Sequence, residues 1–333
     1  MKKNLGVGIL GLALLAGLVA PVATGASAPG FYVEVLLGGL MAGVLYSLVA
    51  LGIVLIFKAS GVFNFAQGAM VLFAALAVAR LAERMPLWAA ALIAVAIMVV
   101  LAIVIERLVL RPLVNQEPIA LLMATLGVSY FLDGFGQTIW GSDIYKIEFG
   151  ISKDPVMILG DVFQGGILIN KDDVASALVA VLLVGALALF FQKTATGRAL
   201  RAVADDHQAA QSIGIPLNRI WVIVWSVAGV VALVAGMVWG GKLGVQFSLA
   251  QVALKALPVV ILGGLTSVPG AIIGGLIIGV GEKMAEVFAA PVMVRAFDLA
   301  GGGIENWFAY VLALAFLLVR PEGLFGERHI DRV

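Results

Sequence analysis

Few residues in this chain could act on a bound molecule. Cysteine is absent, which excludes thiol nucleophiles, disulfides and Cys-based metal sites. His207 and His329 supply the only imidazoles and lie in polar stretches far apart, so no metal site is expected. No GxxxxGK(S/T) phosphate loop occurs, so a P-loop ATPase is not expected of this chain. What remains is hydrogen bonding and charge placed inside apolar runs. The stretch "SGVFNFAQGAM", Ser60 to Met70, sets Asn64 and Gln67 where a plain apolar helix would carry leucines. An amide at membrane depth is costly unless it bonds to protein or faces water. If this piece is helical, the two amides, three apart, share a face. Gly61 then permits a break before that face, and Gly68 permits tight packing after it. A polar seam between two helices fits, as does a break that faces water. Asp133, mid-run in "SYFLDGFGQTIW" beside Gly134, Gly136 and Gln137, is the second candidate. A charge inside a span reads by default as functional, the alternative being an ion pair or hydrogen bond between helices. Lys255, Glu282, Lys283 and Glu286 fall near segment ends, where long side chains snorkel to the headgroups.

These groups need a scaffold, and the composition defines it. Of 333 residues, 62% are hydrophobic and 12% charged, against about 45–50% and about 25% in soluble domains. No water-soluble interior of this size absorbs so much apolar surface, so lipid must solvate much of it. The formal net charge of +1 offers nothing to nucleic acid. The apolar runs are continuous, which excludes a barrel of short alternating strands. The expected fold is all-α, a polytopic transmembrane helical bundle of about 8–10 spans. Ten segments carry it: 4–24, 33–57, 62–79, 87–105, 119–140, 173–191, 219–240, 251–264, 268–288 and 304–319. The eighth is too short to cross upright. "VVILGGLTSVPGAIIGG" makes segments eight and nine either two tightly joined helices or one broken, partly re-entrant span. Gly39 and Gly43, Gly270 and Gly274, and Gly275 and Gly279 form small-residue seams for helix packing.

Orientation follows from the basic loops. Lys2 and Lys3, then Arg107 and Arg111 in 106–118, Lys193, Arg198 and Arg201 in 192–218, and Arg320, Arg328 and Arg332 at the C-terminus share the cytoplasmic side. The acid-rich loop 141–172 falls outside, with β-prone pieces such as "VMILG"; Arg80 and Arg84 fall there against the rule. Residues 1–30 read as a first span or as a cleavable signal peptide, 31–326 as the membrane domain and 327–333 as a cytoplasmic tail. Within the cytoplasmic loop, "TGRALRAVADDHQAAQSIGIPLNR" predicts a short, weakly amphipathic helix, ended by Gly214 and Pro216. It either lies at the interface or docks into a partner protein.

Four stretches, in this order, resemble one family: "YSLVALGIVLIFKASGVFNFAQGAM", "GRALRAVADDHQAAQSIGI", "LKALPVVILGGLTSVPGAIIGGLIIGV" and "RPEGLFGE". The family is that of the H-type inner-membrane permeases of branched-chain amino acid ABC importers. The resemblance implies a non-enzymatic permease of a bacterial inner membrane, with a cytoplasmic C-terminus and no cofactor of its own. It further implies a second, related permease, two ATP-binding subunits carrying ATP and Mg, and a periplasmic binding protein delivering leucine, isoleucine or valine. On the matching positions, Arg198, Ala202, Asp206, Ala209, Ala210 and Gly214 would form the coupling helix seated in an ATP-binding subunit. Asn64, Gln67 and Gly68 would line the translocation path or its gate, and Asp133, outside the four stretches, joins them as a charge inside a span. Related systems import urea, short amides or other amino acids. Composition alone also admits a secondary transporter, a channel or a structural membrane subunit.

Overall fold

The computed structural model describes residues 29–113, 116–152, 154–163, 166–205, 207–298 and 303–326. The expected first segment, 4–24, and the tail 327–333 lie outside them. The helices are α1 (Pro29–Ser60), α2 (Gln67–Ala82), α3 (Leu87–Ile105), α4 (Pro118–Trp140), α5 (Lys171–Lys193), α6 (Ala195–Asp205), α7 (His207–Ser212), α8 (Leu217–Leu243), α9 (Val252–Gly263), α10 (Val268–Met284), α11 (Ala290–Phe297) and α12 (Ile304–Val319). Before α5, β1 (Pro155–Ile158) pairs antiparallel with β2 (Ile167–Asn170), Val156 opposite Ile169. That hairpin falls in the polar interruption whose β-prone pieces the sequence marks.

Among the described residues, five helices are long and apolar enough to cross a membrane, or six crossings if one sharply bent pair counts as one. This is a multi-pass membrane protein. The pair runs Phe247–Gly263 and Val268–Arg295 and bends by 115°, so the break expected between segments eight and nine is real. Gln67–Ala82 and Trp307–Val319 are apolar but shorter; the eight-to-ten count includes them and both halves of the pair. All nine segments expected beyond residue 30 correspond to described helices.

Two compact units divide the chain. One holds Leu48–Gly150 and Leu182–Leu254; the other holds the described parts of Met1–Ser47, Ile151–Val181 and Lys255–Val333. In the first, α2 is central, packing on α3, α4 and α8, with every residue from Gln67 to Ala79 buried. Glycine lets α8 approach it: a Cβ at Gly236 would lie 2.5 Å from the Val71 carbonyl oxygen. Close backbone approach substitutes for the hydrophobic drive that lipid removes.

The second unit uses the same device more densely. A Cβ at Gly43 would meet the Gly275 oxygen at 2.6 Å, and one at Gly279 would collide with the Gly43 backbone. Ser47 Oγ donates to the Gly43 oxygen (2.8 Å) and the Ile272 oxygen (3.1 Å) along that seam. At the break, Ser267 caps α10, its Oγ accepting from the Gly270 N–H at 3.0 Å, as an N-cap serine does. The segment after α12 then returns to α9. Leu324 N–H donates to the Leu262 oxygen (2.8 Å) and Phe325 N–H to the Gly263 oxygen (3.1 Å). Gly264 (φ +106°) and Gly323 (φ +79°) make the turns that allow this, in a region side chains disfavour.

Candidate functional site

The break between α1 and α2 holds a buried knot of polar groups. Ser60 Oγ donates to the Ile56 oxygen at 2.8 Å, and Gly61 turns the chain at φ +70°. The sequence expects one apolar segment from residue 62, but the helix starts at Gln67. Asn64 is the reason: its Oδ1 accepts the Ala66 N–H at 3.0 Å, a local bond that competes with helix. The amides still meet, Asn64 Nδ2 donating to Gln67 Oε1 at 3.3 Å. Gln67 Nε2 points to the Ala228 oxygen of α8 at 3.5 Å. Gly52 of α1 makes the room, since a Cβ there would collide with Gln67 Nε2. Thr125 of α4 accepts from the Phe65 N–H (3.4 Å) and lies 3.3 Å from the Phe63 oxygen. Asn64 is 1% exposed and Gln67 not at all, so in this conformation a solute touches neither. Gly68 closes the far side, where a Cβ would run into the Ala250 oxygen.

Asp133 sits apart from this knot along α4. Its Oδ1 is buried and has no hydrogen-bond partner among the described residues. Gln137 Nε2 donates to the Asp133 backbone oxygen at 3.1 Å, within the same helix. Among the described residues, neither an ion pair nor an interhelical hydrogen bond engages this Oδ1.

The polar interruption 192–218 folds as two helices, α6 and α7, where the sequence suggests one. Thr194 begins α6, its Oγ1 accepting from the Gly197 N–H at 3.1 Å. Gly197 is pressed on the end of α5, where a Cβ would run into the Phe191 oxygen. Gly214 (φ +85°) ends α7, with Gly214 N–H to the Gln211 oxygen and Ile215 N–H to the Ala210 oxygen, both 3.0 Å. These are the two bonds of a Schellman stop. Leu200, Val203 and Ala210 are buried, while Arg198, Arg201, Ala209 and Gly214 are exposed and Ala202 half-buried. Asp206 lies outside the described residues. Both helices pack on α8, which also carries Ala228.

The structure corrects the snorkelling expectation for Glu282. Its side chain is 7% exposed and accepts from Tyr46 Oη at 3.0 Å, with Lys255 Nζ at 3.5 Å. A carboxylate held this way is anchored inside the protein. Lys283 instead pairs with Glu286 at 2.7 Å, both partly exposed. The packing glycines divide as described: Gly39, Gly43, Gly275 and Gly279 meet between α1 and α10, and a Cβ at Gly274 would lie 2.8 Å from the Val259 oxygen of α9. Gly270 faces Gly263 across the break, too close for a Cβ on either. Sequence reasoning missed Glu106, whose carboxylate is fully buried while Arg111 grips it (2.9 Å). A π-helical turn, Glu106–Leu110, aligns residues five apart, and the "ERLVLR" spacing was the available signal.

Comparison with known proteins extends the assignment over most of the chain. The family described as "Branched-chain amino acid transport system / permease component" matches residues 35–320. The high-affinity branched-chain amino acid transport system permease protein BraD of Pseudomonas aeruginosa is 29% identical over 314 residues, covering 91% of this chain and 98% of that one. The corresponding LivH of Salmonella typhimurium is 27% identical over 325 residues, with the same coverage. The fructose import permease protein FrcC of Rhizobium meliloti is 29% identical over 160 residues, 46% of this chain and 42% of that one.

Proposed function

This chain belongs to the family of branched-chain amino acid transport system permease components, and we propose that it is the translocation subunit of an ATP-driven importer of leucine, isoleucine and valine. The observation that carries this reading is the match across 35–320, joined to relatives of that stated function covered over 98% of their length. The subunit performs no chemistry on its substrate. It sits in a bacterial inner membrane with the C-terminus in the cytoplasm, the side its basic loops favour. A second related permease completes the path, two ATP-binding subunits supply ATP and Mg, and a periplasmic protein delivers the amino acid. Reconstitution with these partners tests it: uptake of leucine, isoleucine and valine is expected, and uptake of urea or short amides instead would overturn the substrate assignment.

Within that function, the amide knot is the inner gate. Asn64 and Gln67 bond to each other and face no solvent, which supports closure rather than substrate contact. Opening must break the Asn64–Gln67 bond and part Gln67 from α8. The same helix supports α6 and α7, so a pull on those short helices reaches Ala228 through one rigid rod. Arg198, Ala202, Asp206, Ala209, Ala210 and Gly214 form the coupling element, with Arg198 and Ala209 on its open face and Ala210 anchoring it to this chain.

A further inference from the structure

Tyr46, Lys255 and Glu282 come from three helices and meet in one compact unit, outside the amide knot and the coupling element. Tyr46 stands near the middle of α1, with about 20 Å of helix or more on either side at 1.5 Å per residue. Glu282 is buried, its Oε1 shared by Tyr46 Oη at 3.0 Å and Lys255 Nζ at 3.5 Å. The cluster therefore lies at a depth where an ionised group needs a partner and where such groups mark substrate paths. Two features set it apart from an ordinary interhelical strut. The 3.5 Å separation is longer than the roughly 2.7–2.9 Å of a tight charge-assisted bond. The Lys255 side chain is also 37% exposed, on the open side of α9 with Gln251 and Leu254, while Val252, Ala256, Val259 and Val260 are buried. Among the described residues, Glu282 is the only carboxylate within salt-bridge distance of Lys255. A half-open ammonium beside a buried carboxylate leaves Lys255 reachable from that open side while Glu282 stays anchored by Tyr46.

We propose that Lys255, Glu282 and Tyr46 form a mid-membrane way-station for the charged head of a zwitterionic α-amino acid. Lys255 receives the carboxylate, and Glu282, held by Tyr46, receives the ammonium. The site rests on the amino-acid reading of the proposed function and adds the residues that recognise the head group. Inserting the zwitterion between Lys255 and Glu282 exchanges one loose ion pair for two, so both protein charges stay compensated while the apolar substrate tail is free to move on. Selectivity among tails is left to other parts of the transporter.

The complete transporter in proteoliposomes, with loaded binding protein outside and ATP inside, tests this. Leucine uptake and binding-protein-stimulated ATP hydrolysis are read together. Lys255→Met and Glu282→Gln are each expected to lower uptake by about tenfold or more, the loss of one charge-assisted contact, while ATP hydrolysis stays within about twofold of wild type. The reciprocal exchange, Lys255→Glu with Glu282→Lys, is expected to fail to restore uptake. Lys255→Cys, in a chain with no other cysteine, is expected to react with a hydrophilic thiol reagent. Absence of leucine uptake by the wild type would overturn the amino-acid reading and this proposal with it. Wild-type uptake that both single variants leave unchanged would overturn the way-station alone. So would parallel loss of uptake and hydrolysis, or rescue by the exchange. A Lys255→Cys variant that stays unreactive in every nucleotide condition would do the same, by placing Lys255 against the second permease.

Discussion

At the scale of single residues, the telling fact is that polar groups in this membrane protein mostly find one another. Asn64 spends its Oδ1 on Ala66 and its Nδ2 on Gln67, so truncating either amide leaves a buried group without its partner. Asn64→Ala and Gln67→Ala should each destabilise the purified protein by roughly 1–3 kcal/mol, read as a lower melting temperature. The double variant should cost less than the sum of the two, as coupled neighbours do; strict additivity would deny the contact. Glycines give a second test at this scale. Gly279→Leu drives a side chain into the Gly43 backbone, where even a Cβ does not fit. It should abolish folded yield on size-exclusion chromatography, whereas Gly38→Ala, at a position with nothing within 4 Å, should leave yield unchanged. Volume alone, without polarity, separates the two.

At the scale of elements, the pair α6–α7 offers the sharpest comparison between sequence and structure. Alanine content, Gly214 and Pro216 made helix and stop legible, and the stop is a Schellman turn. What sequence could not supply was which side faces out: Ala209 and Ala210 are alike in type, yet the first is exposed and the second 2% exposed. Packing on α8 decides that, and it is a tertiary fact. Ile213 emerges for the same reason, 74% exposed at the end of α7. If these positions dock into an ATP-binding subunit, Ala209→Arg and Ile213→Asp should each weaken co-purification of that subunit by tens-fold, about the 2 kcal/mol of an interface hot spot. The permease itself should melt as before. The amide stretch shows the opposite limit. Asn64 and Gln67 stood out in sequence because they interrupt apolar residues. Their partners Thr125, Ala228 and Gly52 did not, because a threonine, an alanine and a glycine in apolar runs carry no signal until the chain brings them together. Glu282 failed differently: its place near a segment end suggested water, and only the convergence of Tyr46 and Lys255 showed it buried.

At the scale of the whole molecule, composition settled the solvent and the helical class, and the spacing of apolar runs settled nearly every helix. The division into two compact units was invisible, since each draws on separated stretches and α1, α5 and the run into α9 pass from one to the other. The substrate is tested at this scale too. In isothermal titration, the cognate binding protein should take leucine, isoleucine and valine and ignore fructose, even though a fructose import permease is 29% identical to this chain over 160 residues. The bonds from Leu324 and Phe325 to Leu262 and Gly263 bear on how the protein is made. Those carbonyls end α9 at the break, and their partners are synthesised only after α10, α11 and α12. A chain inserted only as far as α12 therefore holds an unsealed helix end at α9. A stop codon at Arg320 should yield a protein that inserts yet is cleared by membrane proteases, while a stop after Gly326 should accumulate normally in a pulse-chase experiment. Quality control of this permease would in that way be written into the turn at 320–326, where late residues close a gap left by earlier ones.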